Sequence, residues 1–385
     1  MSNETMIWLS GVGWFFVLIT SASVIYLLIA LYAIVRSDFN HRPSTGFTPP
    51  ITILKPLCGL DFQLYENLRS FCQQDYPTFQ VIFGVANASD PAIPVVRRLQ
   101  EDFPDTDITL VIDDRVIGTN LKISNLANMY PQAKYDILVI ADSDMSVGTD
   151  YLTAIAQSFE KEKVGAATCL YTAKSAENMA SKLGALYINE WFLPSVLVAL
   201  TFQKLDFCFG ATMCIRRNVL EEIGGFEKLS SLLADDHILG KEVSRIGHDV
   251  VLIPYLVENV VHERDFRALF LHELRWARTI RLVQASGYAF SFITYGIPLT
   301  LILLAVWPTS TVSIVIVTLM IALRLLIHSV IKYKTEPKSE SVQPWLIPVR
   351  DCLNFIIWVV SFLGDRVSWR NNEYAVQTNG NLENL

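Results

Sequence analysis

The chain has 385 residues, 51% of them hydrophobic and 18% charged, with a mean hydropathy of +0.34. That is long enough for a sizeable domain plus extras, two or three parts in all, too apolar for a simple soluble domain, and too charged for a bundle lying wholly in lipid. A formal net charge of −7 without like-charge blocks argues against nucleic acid as a partner and against a polybasic membrane contact. The cysteines Cys58, Cys72, Cys169, Cys208, Cys214 and Cys352 contain no CxxC pair. This favours reduced thiols over a zinc site or a disulfide framework.

From Ile7 to Val35 the chain is apolar and uncharged. At about 1.5 Å per residue this crosses a hydrocarbon core about 30 Å thick, and it lacks the basic start and short apolar run of a cleaved signal peptide. Glu4 is the one charge before it, whereas Arg36, His41 and Arg42 follow. An excess of basic residues on one flank places what comes next in the cytosol.

Short β-branched runs then alternate with helical patterns: Ile51 to Leu54, Gln80 to Val85, Ile108 to Ile112 and Ile137 to Ala141. Such alternation predicts βαβ units and a largely parallel sheet, with ligands beyond the carboxyl ends of its strands. No GxGxxG or Walker-type loop follows any of them, which removes support for dinucleotide and P-loop readings. Asp90 follows the second run, and Lys122 opens a helical pattern; each is either ordinary surface or a contact to a base edge and a pyrophosphate. The fourth run leads directly into Asp142-Ser143-Asp144, two carboxylates suited to Mg²⁺ or Mn²⁺ bridging a diphosphate, or else an acidic capping loop.

Asp235-Asp236 precedes a helical pattern from His237 to Ile246. It reads either as a helix start favoured by the dipole or as a general base near an acceptor hydroxyl. His262 is a candidate for a metal shell or diphosphate contact, with a satisfied loop histidine as the alternative. Between residues 265 and 288, His272, Arg275, Trp276, Arg278 and Arg281 alternate with apolar residues at helical spacing, as in an interfacial amphipathic helix. Ala289 to Val306 and Thr311 to Ile331, separated by Trp307-Pro308-Thr309 and followed by Lys332 and Lys334, read as a membrane hairpin. Trp345 to Leu363 contains Pro348, Arg350 and Asp351, costly in lipid, and reads as re-entrant or interfacial rather than a clean crossing. Residues 377–385 are expected to be disordered.

Taken in order, Asp90, Asp142-Ser143-Asp144, Asp235-Asp236 and the Arg275-Trp276 pair resemble the ceramide glucosyltransferase family of inverting GT-A enzymes. Cys72-Gln73-Gln74-Asp75-Tyr76-Pro77 and Ser368-Trp369-Arg370 with Tyr374 add to the likeness, which covers residues 50–376. Within that family, Lys55-Pro56-Leu57-Cys58-Gly59 and Glu273-Leu274-Arg275-Trp276-Ala277-Arg278 are most similar to a bacterial branch associated with hopanoid lipids. His272 departs from the family's pattern, which has Gln or Arg at the head of the RW motif.

The resemblance implies an α/β, Rossmann-like GT-A domain between an N-terminal membrane helix and a C-terminal membrane hairpin with a re-entrant or interfacial segment. The parts are an anchor (1–42), a cytosolic catalytic domain (43–264), an interfacial helix with the RW motif (265–288), the hairpin (289–334), a further membrane segment with the WR motif (335–376) and a tail. It implies a hexosyltransferase of a bacterial inner membrane that moves N-acetylglucosamine or glucose from a UDP-sugar to a membrane lipid. The first choice of acceptor is a hopanoid polyol, and ceramide is the alternative. By the same resemblance Asp90 contacts uracil, Lys122 the diphosphate, and Asp142 and Asp144 the divalent cation; Asp236 is the base, and Arg275 with Trp276 holds the diphosphate and acceptor. Asp235, His262 and His272 are secondary candidates. A processive polysaccharide synthase and a non-catalytic membrane scaffold are the competing readings.

Overall fold

The computed structural model describes residues 3–39, 46–308, 310–335, 343–364, 366–369, 372–376 and 382–384. His41, Arg42, Thr309 and Arg370, which entered the readings above, lie outside the described residues. The first helix is α1 (Asn3–Arg36), followed by β1 (Ile51–Pro56), α2 (Leu64–Cys72), β2 (Phe79–Val85), α3 (Ala92–Asp102), β3 (Asp107–Ile112) and α4 (Leu121–Met129). Then come β4 (Ile137–Ile140), β5 (Met145–Ser146), α5 (Tyr151–Ser158), β6 (Val164–Ser175), α6 (Met179–Tyr187) and α7 (Leu193–Phe202). Next are β7 (Met213–Arg216), α8 (Arg217–Glu222), α9 (Asp235–Arg245) and β8 (Asp249–Val261). The last stretch holds α10 (Phe266–Val283), α11 (Ala285–Phe290), α12 (Gly296–Val306), α13 (Thr311–Thr335), α14 (Leu346–Ser361), β9 (Arg366–Trp369), β10 (Asn372–Val376) and β11 (Leu382–Asn384). β10 and β11 pair antiparallel; of the tail expected to be disordered, residues 377–381 and 385 lie outside the described residues and 382–384 form β11.

Two compact units divide the chain: a helical unit of Met1–Ser37, Ser175–Gln203 and Glu263–Trp369, and a sheet unit of Asp38–Lys174, Lys204–His262 and Arg370–Leu385. The expected continuous block 43–264 is therefore interrupted, because Ser175–Gln203 groups with the helices.

In the sheet unit eight strands run in the order β3-β2-β1-β4-β7-β6-β8-β5. The four strands anticipated from sequence are parallel neighbours, with β1 paired to both β2 and β4. The other half corrects the expectation of a largely parallel sheet: β7 runs antiparallel to β4 and to β6, and β5 antiparallel to β8. β1 and β4 are buried along their whole length, which is why they read as continuous apolar runs rather than alternating ones. Leu64, Leu68 and Phe71 of α2 and Val96 and Leu99 of α3 pack against this sheet in one core.

Among the described residues three helical stretches of the helical unit are long and apolar enough to cross a membrane: Gly11–Arg36, Met179–Phe202 and Thr311–Thr335. This marks the chain as an integral membrane protein. The middle stretch was not anticipated. Its two helices join through a π-turn at Ile188–Phe192. Pro194 has no N–H for the carbonyl of Glu190, four residues earlier, and that carbonyl accepts instead from Arg324 Nη1 at 3.3 Å.

The first arm of the expected hairpin is broken, with α11 and its 3₁₀ extension meeting α12 at a bend of 59°. Pro298 explains the break, since a helix continued through it would clash with the carbonyl of Thr294. Pro348 lies in the first turn of α14, where proline is tolerated. The costly charges of α14 are buried but paired: Asp351 takes Arg324 in a two-pronged contact at 2.8 and 2.9 Å, and Arg350 grips Glu273 at 2.5 and 2.8 Å. α10 begins at Asp265, whose side chain accepts from Ala268 N at 2.8 Å, and it packs against α14 and α11.

Candidate active site

β4 stops at Ile140 and the chain turns through Asp142, Ser143 and Asp144 at the carboxyl edge of the sheet. The turn is held from three sides. Lys55, wholly buried near the end of β1, donates to the main-chain oxygen of Asp142 at 2.5 Å and lies 3.6 Å from the centroid of the Phe71 ring. Burial pushes its ammonium down to about 7, against the opposing pull of Asp142, Asp144 and Asp61. The Ser143 hydroxyl donates to Asp61, and Asn259 of β8 donates to Asp144 Oδ2 at 2.9 Å. Burial, reinforced by the neighbouring Asp142 carboxylate, raises the Asp144 carboxyl to about 6.

Lys122 enters from α4. That helix starts where the Asn120 side chain accepts from Ile123 N at 3.1 Å, while its amide donates to Leu232 O at 2.8 Å. The Lys122 ammonium sits 2.7 Å from Asp142 Oδ1 and 3.7 Å from Asp235 Oδ2. Burial opposes its charge, but the Asp142 and Asp235 carboxylates outweigh that and hold it above the usual lysine range.

Asp235 and Asp236 occupy the first turn of α9, where free amides and the helix dipole favour carboxylates. Asp236 Oδ1 accepts from His237 N at 2.7 Å. Burial and then Asp235 raise the Asp236 carboxyl to about 6, with Lys122 pulling the other way. Gly210 shows how near the two acidic motifs come. A Cβ there would lie 3.4 Å from Asp236 Oδ2 and 3.5 Å from Asp142 Oδ2. The missing side chain leaves open the space that the two carboxylates share.

The structure thus brings Lys122, Asp142, Asp144, Asp235 and Asp236 together. Asp90 belongs to the same unit, but its oxygens hold main-chain amides: Gly59 N at 3.0 and 3.1 Å and Ala92 N at 2.8 Å. It fastens the left-handed Gly59 turn (φ +77°) to the start of α3. His262 is exposed and stacks on Phe62, with centroids 4.6 Å apart. The RW residues lie in the helical unit. There His272 Nδ1 is 2.7 Å from Glu263 Oε1, Trp276 stacks on Tyr187 at 5.7 Å, and Arg275 is half-buried.

Sequence reasoning missed Lys55, Asp61, Gly210 and Asn259. Lys55 alone carried a signal, a lysine inside an otherwise apolar strand. Asp61, Gly210 and Asn259 reach the site from separate stretches of chain that carry no local pattern.

No group of three or more His, Cys, Asp or Glu side chains placed to hold a metal occurs among the described residues. The donor set that does exist is two neighbouring carboxylates with hard oxygen ligands. That suits a cation such as Mg²⁺, which usually takes only one or two carboxylates and completes its shell with phosphate and water.

Comparison with known proteins follows the same lines. The mannosyltransferase of Pyrobaculum calidifontis, solved in complex with GDP-Man and Mn2+, superposes with a TM-score of 0.54 over 93% of this chain and 97% of that one, at 19% identity. That is a likeness of fold, and it gives the sheet unit and its flanking helices a GT-A-like architecture. Ceramide glucosyltransferase 1 of Caenorhabditis elegans is 25% identical over 225 residues, 58% of this chain and 48% of that protein. The ceramide glucosyltransferase of Komagataella phaffii is 35% identical over 133 residues, 32% of this chain and 26% of that protein. The chain thus spans half or less of the length of these relatives. The model of Glycosyl transferase family 21 matches residues 15–382, nearly the whole sequence, and the chain therefore belongs to glycosyltransferase family 21.

Proposed function

We propose that the protein transfers one glucose, with inversion, from UDP-glucose to the hydroxyl of a ceramide-type membrane lipid. Ceramide replaces the hopanoid polyol as first choice because the relatives are ceramide glucosyltransferases by name. The observation that carries the reading is the approach of Asp236 and Asp142 to one another beside Gly210, a base candidate next to a cation-binding candidate.

In this reading Asp236 accepts the proton of the lipid hydroxyl as its oxygen attacks the anomeric carbon. The Asp236 carboxyl, already raised to about 6, is a stronger base than an ordinary aspartate and is still ionised at neutral pH. Lys122 contributes positive charge beside the diphosphate. Asp142 and Asp144 hold the divalent cation, which when bound neutralises the departing diphosphate. Asp90 orders the Gly59 loop against which the base of the nucleotide lies. Arg275 and Trp276 keep their donor-binding assignment on the strength of the sequence motif. The basic residues Arg36, Lys332 and Lys334 at the ends of α1 and α13 support a cytosolic side for the catalytic domain.

The test is mass spectrometry of lipids after purified protein in nanodiscs meets Mg²⁺ or Mn²⁺, UDP-glucose or UDP-N-acetylglucosamine, and ceramide, hopanoid polyol or diacylglycerol. One hexose on ceramide is expected, abolished by chelation. A hexosamine on the hopanoid would move donor and acceptor while keeping the residue roles. A polymer would favour a processive synthase, and no product from any pair would leave the scaffold reading.

A further inference from the structure

Lys55 puts a charge inside an interior strand of the sheet. β1 pairs with β2 on one side and with β4 on the other, and it is buried along its whole length. Lys55 itself is 0% exposed, so its ammonium is out of reach of solvent and of any ligand dissolved in it. Burying an ammonium is costly, and an apolar side chain would fill the same space without that cost. What the ammonium meets is the face of Phe71, 3.6 Å from the ring centroid, and the main-chain oxygen of Asp142 at 2.5 Å.

That oxygen closes the turn that carries both acids. It also accepts from Met145 N at 3.3 Å, a long bond for a turn whose two carboxylates push against each other as like charges. The bond from Lys55 is charge-assisted and the shorter of the two. Other bonds hold the rest of the turn: Ser143 donates to Asp61, Asn259 donates to Asp144 Oδ2 at 2.9 Å, and Asp144 O accepts from Val260 N at 3.0 Å. Lys55 thus fixes the Asp142 peptide from behind, on the side away from the ligand.

We propose that Lys55 is a positioning residue for the divalent-cation site: by holding the Asp142 carbonyl toward β1, it presets the direction in which the Asp142 and Asp144 carboxylates leave the turn. The assignment rests on the cation reading above and deepens it, adding a residue that acts without touching the ion. Two effects of the ammonium oppose one another, and their signs separate them. Its charge repels a cation held by the neighbouring carboxylates, so charge alone predicts tighter cation binding once Lys55 is replaced. Its hydrogen bond orients the ligands, so positioning predicts binding weakened by about tenfold or more, as for other groups that orient metal ligands from behind.

The experiment measures Mn²⁺ binding to full-length protein in nanodiscs with saturating UDP, from the loss of the free-ion electron paramagnetic resonance signal. Wild type is compared with Lys55→Met, which fills most of the space without donor or charge, and with Lys55→Gln, which keeps an N–H donor on a side chain one bond shorter. Thermal unfolding without Mn²⁺ checks that each variant folds. Wild type should bind most tightly, Lys55→Gln less so, and Lys55→Met weakest by about tenfold or more, with the ceramide KM held and kcat recovered at saturating Mn²⁺. Should Lys55→Met not fold, weakened binding by Lys55→Gln carries the same expectation. Mn²⁺ binding that is unchanged or tighter in the folded variants overturns the assignment while leaving the cation reading in place. A wild type that binds no Mn²⁺ removes the cation reading itself, and the assignment with it.

Discussion

Asp236 is a carboxylate that the fold makes costly to ionise, held at about 6 by burial and by Asp235. A base works only when deprotonated, so the sign is fixed: kcat/KM should fall as pH drops through about 6 and level off above about 7. Asp236→Asn should lower kcat by roughly 10²–10⁴-fold and leave the donor KM nearly unchanged. A wild-type profile that stays flat across that acid limb would remove Asp236 as the base. Of the residues involved, Asp142 and Asp144 were legible because a strand runs directly into them, and Asp236 because it opens a helix. Lys55 shows only as a lysine inside an apolar strand, while Asp61 and Asn259 act on the same turn through folds of the chain that bring distant segments together, and nothing in their local sequence announces this.

Among elements, α14 is the one whose sequence looked least suited to its surroundings, with Arg350 and Asp351 inside an apolar run. Its charges are matched one by one with α10 and α13, through Glu273 and Arg324. Breaking a buried pair strands a charge, so Arg350→Met or Glu273→Gln alone should cost about 3–5 kcal/mol. Replacing both Arg350 and Glu273 by apolar residues should recover most of that loss. Denaturant unfolding of the detergent-solubilised protein measures the cycle. Single variants within about 1 kcal/mol of wild type would mean the pair carries little of the unit's stability. The same pairing explains why the stretch Met179–Phe202 escaped notice as a candidate span. Asn189 and Glu190 interrupt its apolar pattern, and only the positions of Arg324 and His328 reveal where Glu190 is satisfied.

For the whole molecule, the long apolar helices predict that the protein stays in the membrane pellet after alkaline carbonate washing and leaves it only with detergent. Release by carbonate alone would make the apolar helices an internal core instead. The sequence by itself determined the N-terminal anchor, the parallel half of the sheet, the amphipathic helix with the RW motif and the acidic motifs, because each is a local pattern of hydrophobic period or of residue type at a strand or helix end. Tertiary structure alone decided the antiparallel half of the sheet, the grouping of Ser175–Gln203 with the helical unit, the break before α12, and the partners of every buried charge. These depend on which segments meet across long stretches of chain, and hydrogen bonds and ion pairs between distant residues leave no period in the sequence to read.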